Sequence, residues 1–405
     1  MPPSTGIKYE FHHSFSVSSL IALLRYKIIS GKIEKTKTPI LENSIFSFLN
    51  MKSKDISKNF ISSEYDVLVS TGEQMACALI AGRLSHLGYK SRSWMSWQIP
   101  ILTYGKHSFS RIVKINRNKI LKYLKEGGIP IVTGFQGVNK ENRVTTLERG
   151  GSDVSAIMVA KFFNAEKCII YTDVDGVFST DPNILKNAKK IDKISYEEML
   201  EMSSLGAKVM QPASIQDARL NRIDVHVKSS FKKKSGTLIT KKKNISINKI
   251  ITGISFTKND AKVTLVGVID KPGIAASIFK PLSENSINVD MVVQNISAGS
   301  KETDLTFTIK LEDLYKTRKL LENNKSINFR KLIVNKNVSK VSIVGVGMIT
   351  TPGVSYRMFK ALAKKKINIE VISTSEIKIS VLINKKNLKK SVEILHQEFK
   401  LSSSL

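Results

Sequence analysis

Residues 145–153, TTLERGGSD, place a cation, two glycines, a hydroxyl and a carboxylate side by side. Arg149 offers a planar fork that suits a carboxylate or a phosphate. Gly150 and Gly151 let the backbone approach a ligand closely, because neither has a Cβ atom. Ser152 adds a hydroxyl donor next to the first amides of a predicted helix, where anions bind. These residue types predict a site for an anion.

Asp153 is the exception in this segment, because a carboxylate does not suit an anion. It would also serve as the N-cap of the helix that apolar spacing predicts at 153–163, with the glycines forming a plain turn. The segment follows an apolar run at 129–135, and ligands of open α/β sheets bind where strand ends meet helix N-termini. From this segment alone, the anion site and the plain turn both stay open.

Helical and strand patterns alternate between residues 51 and 240, which indicates an α/β domain. The nearly continuous apolar runs at 129–135 and 167–177 predict buried strands of a mostly parallel sheet. A helical pattern at 70–89 predicts a helix with Ser70 or Thr71 as its N-cap. The predicted buried face of that helix consists of Ala76, Leu79, Ile80 and Leu84.

An internal repeat marks the C-terminal part of the chain. Residues 263–295 and 341–375 share Val-Gly-Val and Pro-Gly positions, followed by Phe, Leu and Ile-Asn at matching places. Each copy predicts a strand, a turn, a helix and a second strand, which is the order of a ferredoxin-like module. The Lys- and Ser-rich segment 231–244 predicts the boundary between this part and the α/β domain.

Composition excludes several classes of function. The 405 residues carry 64 Lys and Arg against 34 Asp and Glu, a net charge of +30. The lysines are spread along the chain and their clusters lack interleaved aromatics, so we predict no nucleic-acid partner. No apolar run reaches the ~18 to 20 residues of a membrane-spanning helix, so we predict no membrane partner. Cys77 and Cys168 offer neither a disulfide framework nor a metal cluster, which favours a cytoplasmic protein without a protein-bound metal site.

Five motifs in a fixed order extend the argument beyond residues 145–153. They are STGEQ (70–74), GFQGV (134–138), RGGSD (149–153), YTDVDGVFSTDP (171–182) and SYEEMLEMSSLGAKVMQPASI (195–215). In order and spacing they closely resemble the aspartate kinase branch of the amino acid kinase family. The C-terminal repeats, including STSEIKISVLI (373–383), resemble the paired regulatory ACT domains of that family.

The resemblance implies a fold and a division into domains. The implied fold is α/β: an amino-acid kinase-like three-layer sandwich with a mostly parallel sheet, plus two ferredoxin-like ACT domains. The implied domains are an atypical leader at 1–50, a kinase domain at 51–240 that is incomplete at its N-terminus, a first ACT domain at 250–335 and a second at 336–405.

The resemblance also implies a reaction: transfer of the ATP γ-phosphoryl group, with Mg²⁺, to the side-chain carboxylate of L-aspartate, the first step towards lysine, threonine and methionine. Arg149 is expected to bind the α-carboxylate and Glu73 the α-ammonium group. No general base is needed, because the reacting carboxylate is already ionised. The candidate substrate residues are Glu73, Arg149, Gly150, Gly151, Ser152 and Asp153.

For the nucleotide, the resemblance indicates two segments, 171–183 and the lysine of GAKV. Thr172 and Asp173 are expected near adenine or ribose, and Lys208 near phosphate. Turn-forming aspartates and a solvated lysine are the alternatives. The candidate nucleotide residues are Thr172, Asp173, Phe178, Asp181, Asn183 and Lys208.

The ACT repeats imply amino-acid effectors. In the family, lysine, threonine or both bind at interfaces between ACT domains of different chains, so the resemblance implies a homo-oligomer of at least two chains. The Pro-Gly turn occurs in both repeats, which favours a structural role for it. The candidate effector residues are Asp270, Gly273, Ile274, Ala275, Asn288, Val289, Asp290 and Gln294.

The first fifty residues depart from the family. Aspartate kinases open with a Lys-Phe-Gly-Gly-Thr-Ser strand and loop, and residues 1–50 contain no such motif. We therefore expect the sheet to lack an early strand and the phosphate site to lack a lysine. Glu148 also replaces a glycine and places a carboxylate beside Arg149. Two readings stay open: an active aspartate kinase, or a catalytically impaired homologue that binds amino-acid effectors. A kinase for another acidic substrate, such as glutamate, is disfavoured by the twin repeats.

Overall fold

A computed structural model of the chain describes residues 12–13, 44–57, 59–148, 150–206, 209–241, 250–296, 302–324 and 327–402. The chain separates into two compact units. The first consists of Met1–Val177, Lys190–Ser204 and Lys208–Ser246, and the second of Phe178–Lys189, Leu205–Ala207 and Ile247–Leu405.

The first unit mixes helices and strands. Its helices are α1 (Ser44–Ile56), α2 (Ser62–His86), α3 (Asn118–Lys125), α4 (Gly151–Phe162), α5 (Tyr196–Ser204) and α6 (Pro212–Asn221). Its strands are β1 (His12–His13), β2 (Ser91–Trp94), β3 (Ile101–Tyr104), β4 (Arg111–Ile115), β5 (Ile129–Val132), β6 (Gln136–Val138), β7 (Val144–Thr146), β8 (Cys168–Thr172), β9 (Lys193–Ser195), β10 (Val225–Ser229) and β11 (Thr237–Thr240).

The largest sheet of this unit has the strand order β1-β8-β10-β11-β9. Its β8 lies parallel to β1 and to β10, and β9 lies parallel to β11, whereas β10 and β11 are antiparallel. Cys168, Ile169 and Ile170 are almost fully buried in β8, as expected for a parallel strand covered on both faces. The prediction of a mostly parallel sheet is confirmed.

The strand β1 corrects one expectation. His12 pairs with Ile169 and His13 with Ile170, so a short strand from the first fifty residues extends the sheet beside β8. The prediction that the sheet lacks an early strand is therefore wrong at this edge. The reason is that a parallel edge strand needs only backbone hydrogen bonds, which no side-chain motif reveals.

Two smaller sheets complete the first unit: the parallel pair β2-β5 and the sheet β4-β3-β6-β7. The apolar run at 129–135 forms β5, but the strand ends at Val132 and is only half-buried. The helical pattern at 153–163 forms α4, which begins at Gly151. Asp153 is therefore the third residue of the helix, and the N-cap position belongs to Gly150.

The helix predicted at 70–89 is longer than expected. It begins at Ser62, so Ser70 and Thr71 lie inside it and neither is its N-cap. Their hydroxyls donate to the carbonyls of Val67 and Leu68, a local hydrogen bond that lets both residues occupy a helix interior. The prediction of its buried face was also partly wrong: Ala76 is buried, but Leu79 is 48% exposed.

The second unit contains the two repeats. Its strands are β12 (Gly253–Ile269), β13 (Val289–Ile296), β14 (Glu302–Lys310), β15 (Lys331–Val344), β16 (Ile369–Thr374) and β17 (Lys378–Asn384). Its helices are α7 (Ile274–Glu284), α8 (Leu314–Glu322), α9 (Val354–Lys364) and α10 (Leu388–Glu398).

The six strands form one antiparallel sheet in the order β13-β14-β12-β15-β17-β16. The long strands β12 and β15 pair along most of their length, with Val263 opposite Val334 and Ile254 opposite Ile343. One apolar core lies under α7 and α8, and another lies under α9 and α10. Each repeat therefore has the predicted strand, helix and strand order.

Two segments pack away from their neighbours in sequence. Ile251 and Ile254 belong to the core of the second repeat, because β12 begins beside the end of β15. The segment Phe178–Lys189, which the sequence placed within a continuous kinase domain, belongs to the second unit. Ile184 packs against the core of the second repeat, and the Ser179 hydroxyl lies 2.9 Å from His396 Nε2 of α10. No helix within the described ranges is long and apolar enough to cross a membrane.

Candidate active site

The first turn of α4 meets the middle of α2 in a small cluster of carboxyl and hydroxyl groups. Ser152 Oγ donates a 2.9 Å hydrogen bond to Glu73 Oε1. The side chain of Glu73 points into the protein and is only 9% exposed. Asp153 follows Ser152 in the same turn and is half-buried. Three of the predicted substrate residues therefore come together although α2 and α4 are far apart in sequence.

Burial shapes the protonation of this cluster. Desolvation raises the pKa of Glu73 to about 7, with a smaller contribution from the nearby Asp153 carboxylate, while the Ser152 hydrogen bond works in the opposite direction. Desolvation also raises the pKa of Asp153 to about 7. Two carboxyl groups with ordinary pKa values near 4 thus titrate close to neutral pH here, which is typical of functional sites. A cation placed between them would favour their ionised forms.

The two glycines are required by the packing of this turn. Gly150 has φ of 83°, in the left-handed region, and a Cβ atom there would lie 2.0 Å from Gln211 Cγ. A Cβ atom on Gly151 would lie 2.6 Å from Leu147 Cβ. The turn therefore brings backbone close to its neighbours and places the N-terminus of α4, a position that favours anions, beside Glu73.

Hydrogen bonds to backbone groups hold the segments next to this turn in place. The Leu147 amide donates to the Phe135 carbonyl at 2.9 Å, and the Phe135 amide donates to Ser155 Oγ at 2.9 Å. Ser155 in turn donates to the Gly151 carbonyl. Phe135 has φ of 64°, which is unusual for an aromatic residue. Ser155 therefore links the GFQGV motif, through Phe135, to the RGGSD motif, through Gly151.

A fully buried carboxylate supports the same region from α2. Asp66 accepts hydrogen bonds from His107 Nδ1 (2.7 Å), the Ser108 amide (3.0 Å) and the Ser108 hydroxyl (2.8 Å). It also accepts from the Thr146 amide (2.9 Å) and the Thr146 hydroxyl (2.6 Å). The side chain joins α2, the β3–β4 loop and the end of β7.

Glutamines form a second link between α2 and the sheet. Gln74 Nε2 donates to Gln136 Oε1 at 3.1 Å, and Gln136 Nε2 donates to the Ser70 carbonyl at 3.1 Å. The STGEQ and GFQGV motifs are therefore in direct contact. Sequence reasoning singled out neither this pair nor Asp66, although Asp66, Ser70 and Glu73 stand at the spacing of one helical face.

Two of the predicted site residues are not described by the structure. Arg149, the expected ligand of the α-carboxylate, and Lys208, the expected phosphate ligand, lie outside the described residues. Gly150 directly follows Arg149, so the backbone leading away from it is described. The roles predicted for both side chains stay predictions.

The predicted nucleotide residues divide between the two units. Thr172 ends β8, its carbonyl accepts from the Ser230 amide, and its hydroxyl donates to Asp173 at 3.1 Å. Phe178 lies in the second unit, as do Asp181 and Asn183. There the Asn183 amide and side chain both donate to Asp181 Oδ1, at 2.8 and 3.0 Å, which is a turn-stabilising arrangement.

Two of the predicted effector residues contact each other in the first repeat, where Gln294 Nε2 lies 3.4 Å from Asp270 Oδ1. Asp290 pairs with the buried Lys340 of β15. Burial acts to raise the pKa of Asp290, but the Lys340 ammonium and the Met291 amide lower it below its usual range.

The other predicted effector residues follow the backbone of the repeat. Gly273 is the left-handed N-cap of α7, and Ile274 is buried. Ala275 is half-buried in the first turn of α7, Asn288 is exposed, and Val289 begins β13.

The described part of the chain holds its potential metal ligands apart and its two cysteines in the interior. No group of three or more His, Cys, Asp or Glu side chains among those residues could hold a metal ion. Cys77 and Cys168 are free and buried. Burial raises the pKa of both thiols. The negative charge of Glu73 raises the pKa of Cys77 further, and that of Asp153 does the same for Cys168, so both thiols stay protonated.

Comparisons with known proteins agree with this architecture. Residues 18–229 match the family model of the amino acid kinase family, a match that begins inside the leader segment 1–50. Residues 263–324 and 341–399 each match the ACT domain. The aspartate kinase of Pseudomonas putida is 45% identical over 353 residues, which is 87% of this chain and 86% of that protein. The aspartate kinase of Pseudomonas fluorescens is 46% identical over 342 residues, or 84% of this chain and 83% of that protein.

A solved structure extends the likeness to the fold. Escherichia coli aspartokinase III, in complex with aspartate and ADP, superposes with a TM-score of 0.72 over 96% of this chain and 92% of that chain, at 24% identity. The two Pseudomonas relatives cover most of the chain at well above 30% identity. The chain therefore belongs to the aspartate kinases of the amino acid kinase family, with C-terminal ACT domains.

Proposed function

We propose that this chain transfers the γ-phosphoryl group of ATP to the side-chain carboxylate of L-aspartate, giving 4-phospho-L-aspartate and ADP. The observation that carries the proposal is the contact of Glu73 with the first turn of α4, in a chain whose relatives at 45% and 46% identity are aspartate kinases. A cytoplasmic location fits this reaction, which uses soluble metabolites.

The polar cluster suits a free amino acid with one ammonium and two carboxylate groups. Glu73 is buried and close to Asp153, so an ammonium group would neutralise an otherwise unfavourable pair. The N-terminus of α4, the positive end of the helix dipole, favours a carboxylate group. Arg149, next to Gly150, is proposed to bind the α-carboxylate through its planar fork.

The chemistry then requires positioning and charge neutralisation. An oxygen of the aspartate side chain attacks the γ-phosphorus, the bond from that phosphorus to the β–γ bridging oxygen breaks, and ADP leaves with the electron pair. No proton has to be removed, because the attacking carboxylate is ionised. Gly150 and Gly151 contribute by letting the α4 amides reach the reacting group.

For the nucleotide, we propose Thr172 and Asp173 as contacts in the first unit, since they stand at the carboxyl end of a parallel strand, where open α/β sheets bind ligands. Phe178, Asp181, Asn183 and Lys208 are proposed as further nucleotide residues. Mg²⁺ is proposed to arrive with ATP. It commonly binds substrate phosphates and only one or two carboxylates.

The ACT domains are proposed to bind lysine, threonine or both, and to join chains into a homo-oligomer. The contact between Asp270 and Gln294 supports a polar effector site at the end of β12, in the repeat that also contains Gly273 and Ile274. An effector acts only if it binds two states of the enzyme with different affinity. Binding of lysine and of threonine can be measured separately by calorimetry.

The test of the reaction is formation of aspartyl hydroxamate from L-aspartate, ATP, Mg²⁺ and hydroxylamine. We expect hydroxamate only when ATP is present, and far less of it with L-glutamate. Equal activity on L-glutamate would show that the enzyme is not specific for L-aspartate, contrary to the proposal. The absence of the Lys-Phe-Gly-Gly motif favours a second candidate, an effector-binding homologue with little catalysis. That candidate predicts binding of lysine or threonine by a protein that forms no hydroxamate.

A further inference from the structure

Asp66 is a fully buried carboxylate for which the reaction chemistry has no direct use. It lies on α2, two helical turns before Glu73, and its side chain is 0% exposed. Burying a carboxylate is costly unless hydrogen bonds replace its water. Each of its two oxygens accepts from groups of the β3–β4 loop and of β7. Such dense solvation of one anion indicates that its neighbours must be held in a defined place.

These contacts lie just before the turn that contains the predicted substrate residues 149–153. Thr146 is the last residue of β7, and both its amide and its hydroxyl bind Asp66. The chain then runs through residues 147–151 into α4, where Ser152 binds Glu73. The connection is therefore attached to the same helix at both of its ends, at the start through Asp66 and at the finish through Glu73.

We propose that Asp66 is a positioning residue that fixes the 147–151 connection against α2 and thereby sets the affinity for the amino-acid substrate. This inference rests on the proposed function, because residues 147–151 include the predicted ligand of the α-carboxylate. Asp66 acts through Thr146 and touches no substrate itself. A displacement of about 1 Å in a substrate-binding group is enough to cost up to ~10²-fold in rate.

The β3–β4 loop reinforces the attachment. Ser108 has φ of 65°, a left-handed conformation that is uncommon for serine, and it donates to Asp66 through its amide and its hydroxyl. His107 Nδ1 donates to the same carboxylate at 2.7 Å. The loop thus contacts Asp66 through two consecutive residues.

The informative variant is Asp66→Asn, because it keeps the size of the side chain. Its amide oxygen can still accept from the Ser108 and Thr146 amides, and its NH2 group can donate to their hydroxyls, which rotate freely. The change therefore weakens the attachment without leaving a cavity. Asp224→Asn is the matched control. Asp224 accepts from the Thr240 and Tyr196 hydroxyls in the same unit, just before the start of β10 and away from residues 147–151.

The experiment compares the two variants with the natural chain. For Asp66→Asn we expect the KM for L-aspartate to rise about tenfold or more, with the KM for ATP within about twofold. We expect faster hydrogen exchange of the amides at 144–153, measured by mass spectrometry. Asp224→Asn should change neither quantity. A purely stabilising role for Asp66 would lower the melting temperature and leave both KM values unchanged.

Two further outcomes are distinguishable. If the natural chain forms no aspartyl hydroxamate, the proposed function fails, and hydrogen exchange at 144–153 still decides whether Asp66 holds the connection. If Asp66→Asn does not fold, Thr146→Val carries the test, because it removes only the hydroxyl from the same contact; we expect the same changes at smaller size. Unchanged exchange and an unchanged KM for L-aspartate in the folded variant would overturn the proposal.

Discussion

At the scale of single residues, the candidate site is defined by carboxyl groups that burial has made unusual. Glu73 and Asp153 both have pKa values raised from near 4 to about 7, chiefly by desolvation. A substrate ammonium group is attracted to Glu73 only when the Glu73 carboxyl group is ionised. Near neutral pH, substrate binding is therefore linked to loss of a proton from this cluster.

The first prediction concerns the pH dependence of catalysis. Because Glu73 must be ionised to bind an ammonium group, kcat/KM for L-aspartate should rise from pH 6 to pH 8, with a midpoint near 7. Glu73→Gln should lower kcat/KM by ~10²-fold, since it removes a buried charge pair. Hydroxamate assays across this range measure both effects. Glu64→Gln is the control, because Glu64 is exposed on the same helix.

The same pKa shift makes the stability of the fold depend on pH in a defined direction. A carboxyl group whose folded pKa lies above its unfolded value stabilises the fold at low pH, and this contribution is lost as the pH rises through the folded pKa. For Glu73 the loss runs from about 4.5 to about 7. Glu73→Gln should therefore flatten the fall in melting temperature over this window. An equally steep fall in the variant would contradict the assignment of the titration to Glu73.

At the scale of elements, the site depends on how one helix starts. α4 begins with Gly150 in the left-handed conformation, and Gln211, just before α6, packs directly over it. The start of the helix is therefore packed closely against Gln211. Only a residue without a side chain permits both the backbone angle and this close approach.

The second prediction is a pair of glycine substitutions. Gly150→Ala should lower the free energy of unfolding by about 1–2 kcal/mol, because alanine resists a positive φ, and should abolish most activity. Gly82→Ala is the matched control, since Gly82 is helical and a Cβ atom there would meet nothing within 4 Å. It should be neutral or stabilising by up to about 1 kcal/mol. Urea unfolding measures both. Equal effects at the two positions would show that the turn is not constrained.

At the scale of the whole molecule, the two compact units do not follow the order of the chain. The segment Phe178–Lys189 lies in the second unit with the ACT repeats. His396 is 1% exposed and lies between the hydroxyls of Ser179, at 2.9 Å, and Ser402, at 3.0 Å. Residues that the sequence assigned to nucleotide binding, such as Asp181, therefore share a unit with the regulatory repeats.

The third prediction concerns the stability of this unit. Burial lowers the pKa of His396, so the folded state keeps the ring neutral while the unfolded chain takes up a proton. Stability is therefore lost as the pH falls below about 6.5, by at most about 1.4 kcal/mol per pH unit. His396→Gln should reduce this loss between pH 7 and 5.5 in thermal melts. His86→Gln, at an exposed position, should leave it unchanged.

The sequence by itself determined what depends on local pattern. The α4 and β8 segments and the repeat of the ACT domains follow from periodicity and glycine placement, since these are written in neighbouring residues, whereas only the family resemblance placed STGEQ and RGGSD at one site. Only the tertiary structure decided what depends on distant contacts. Asp66 meets Thr146 across 80 residues, and Ser179 meets His396 across 217. The pKa of Glu73 depends on burial, which no local pattern encodes because it is produced by every element that packs around the side chain.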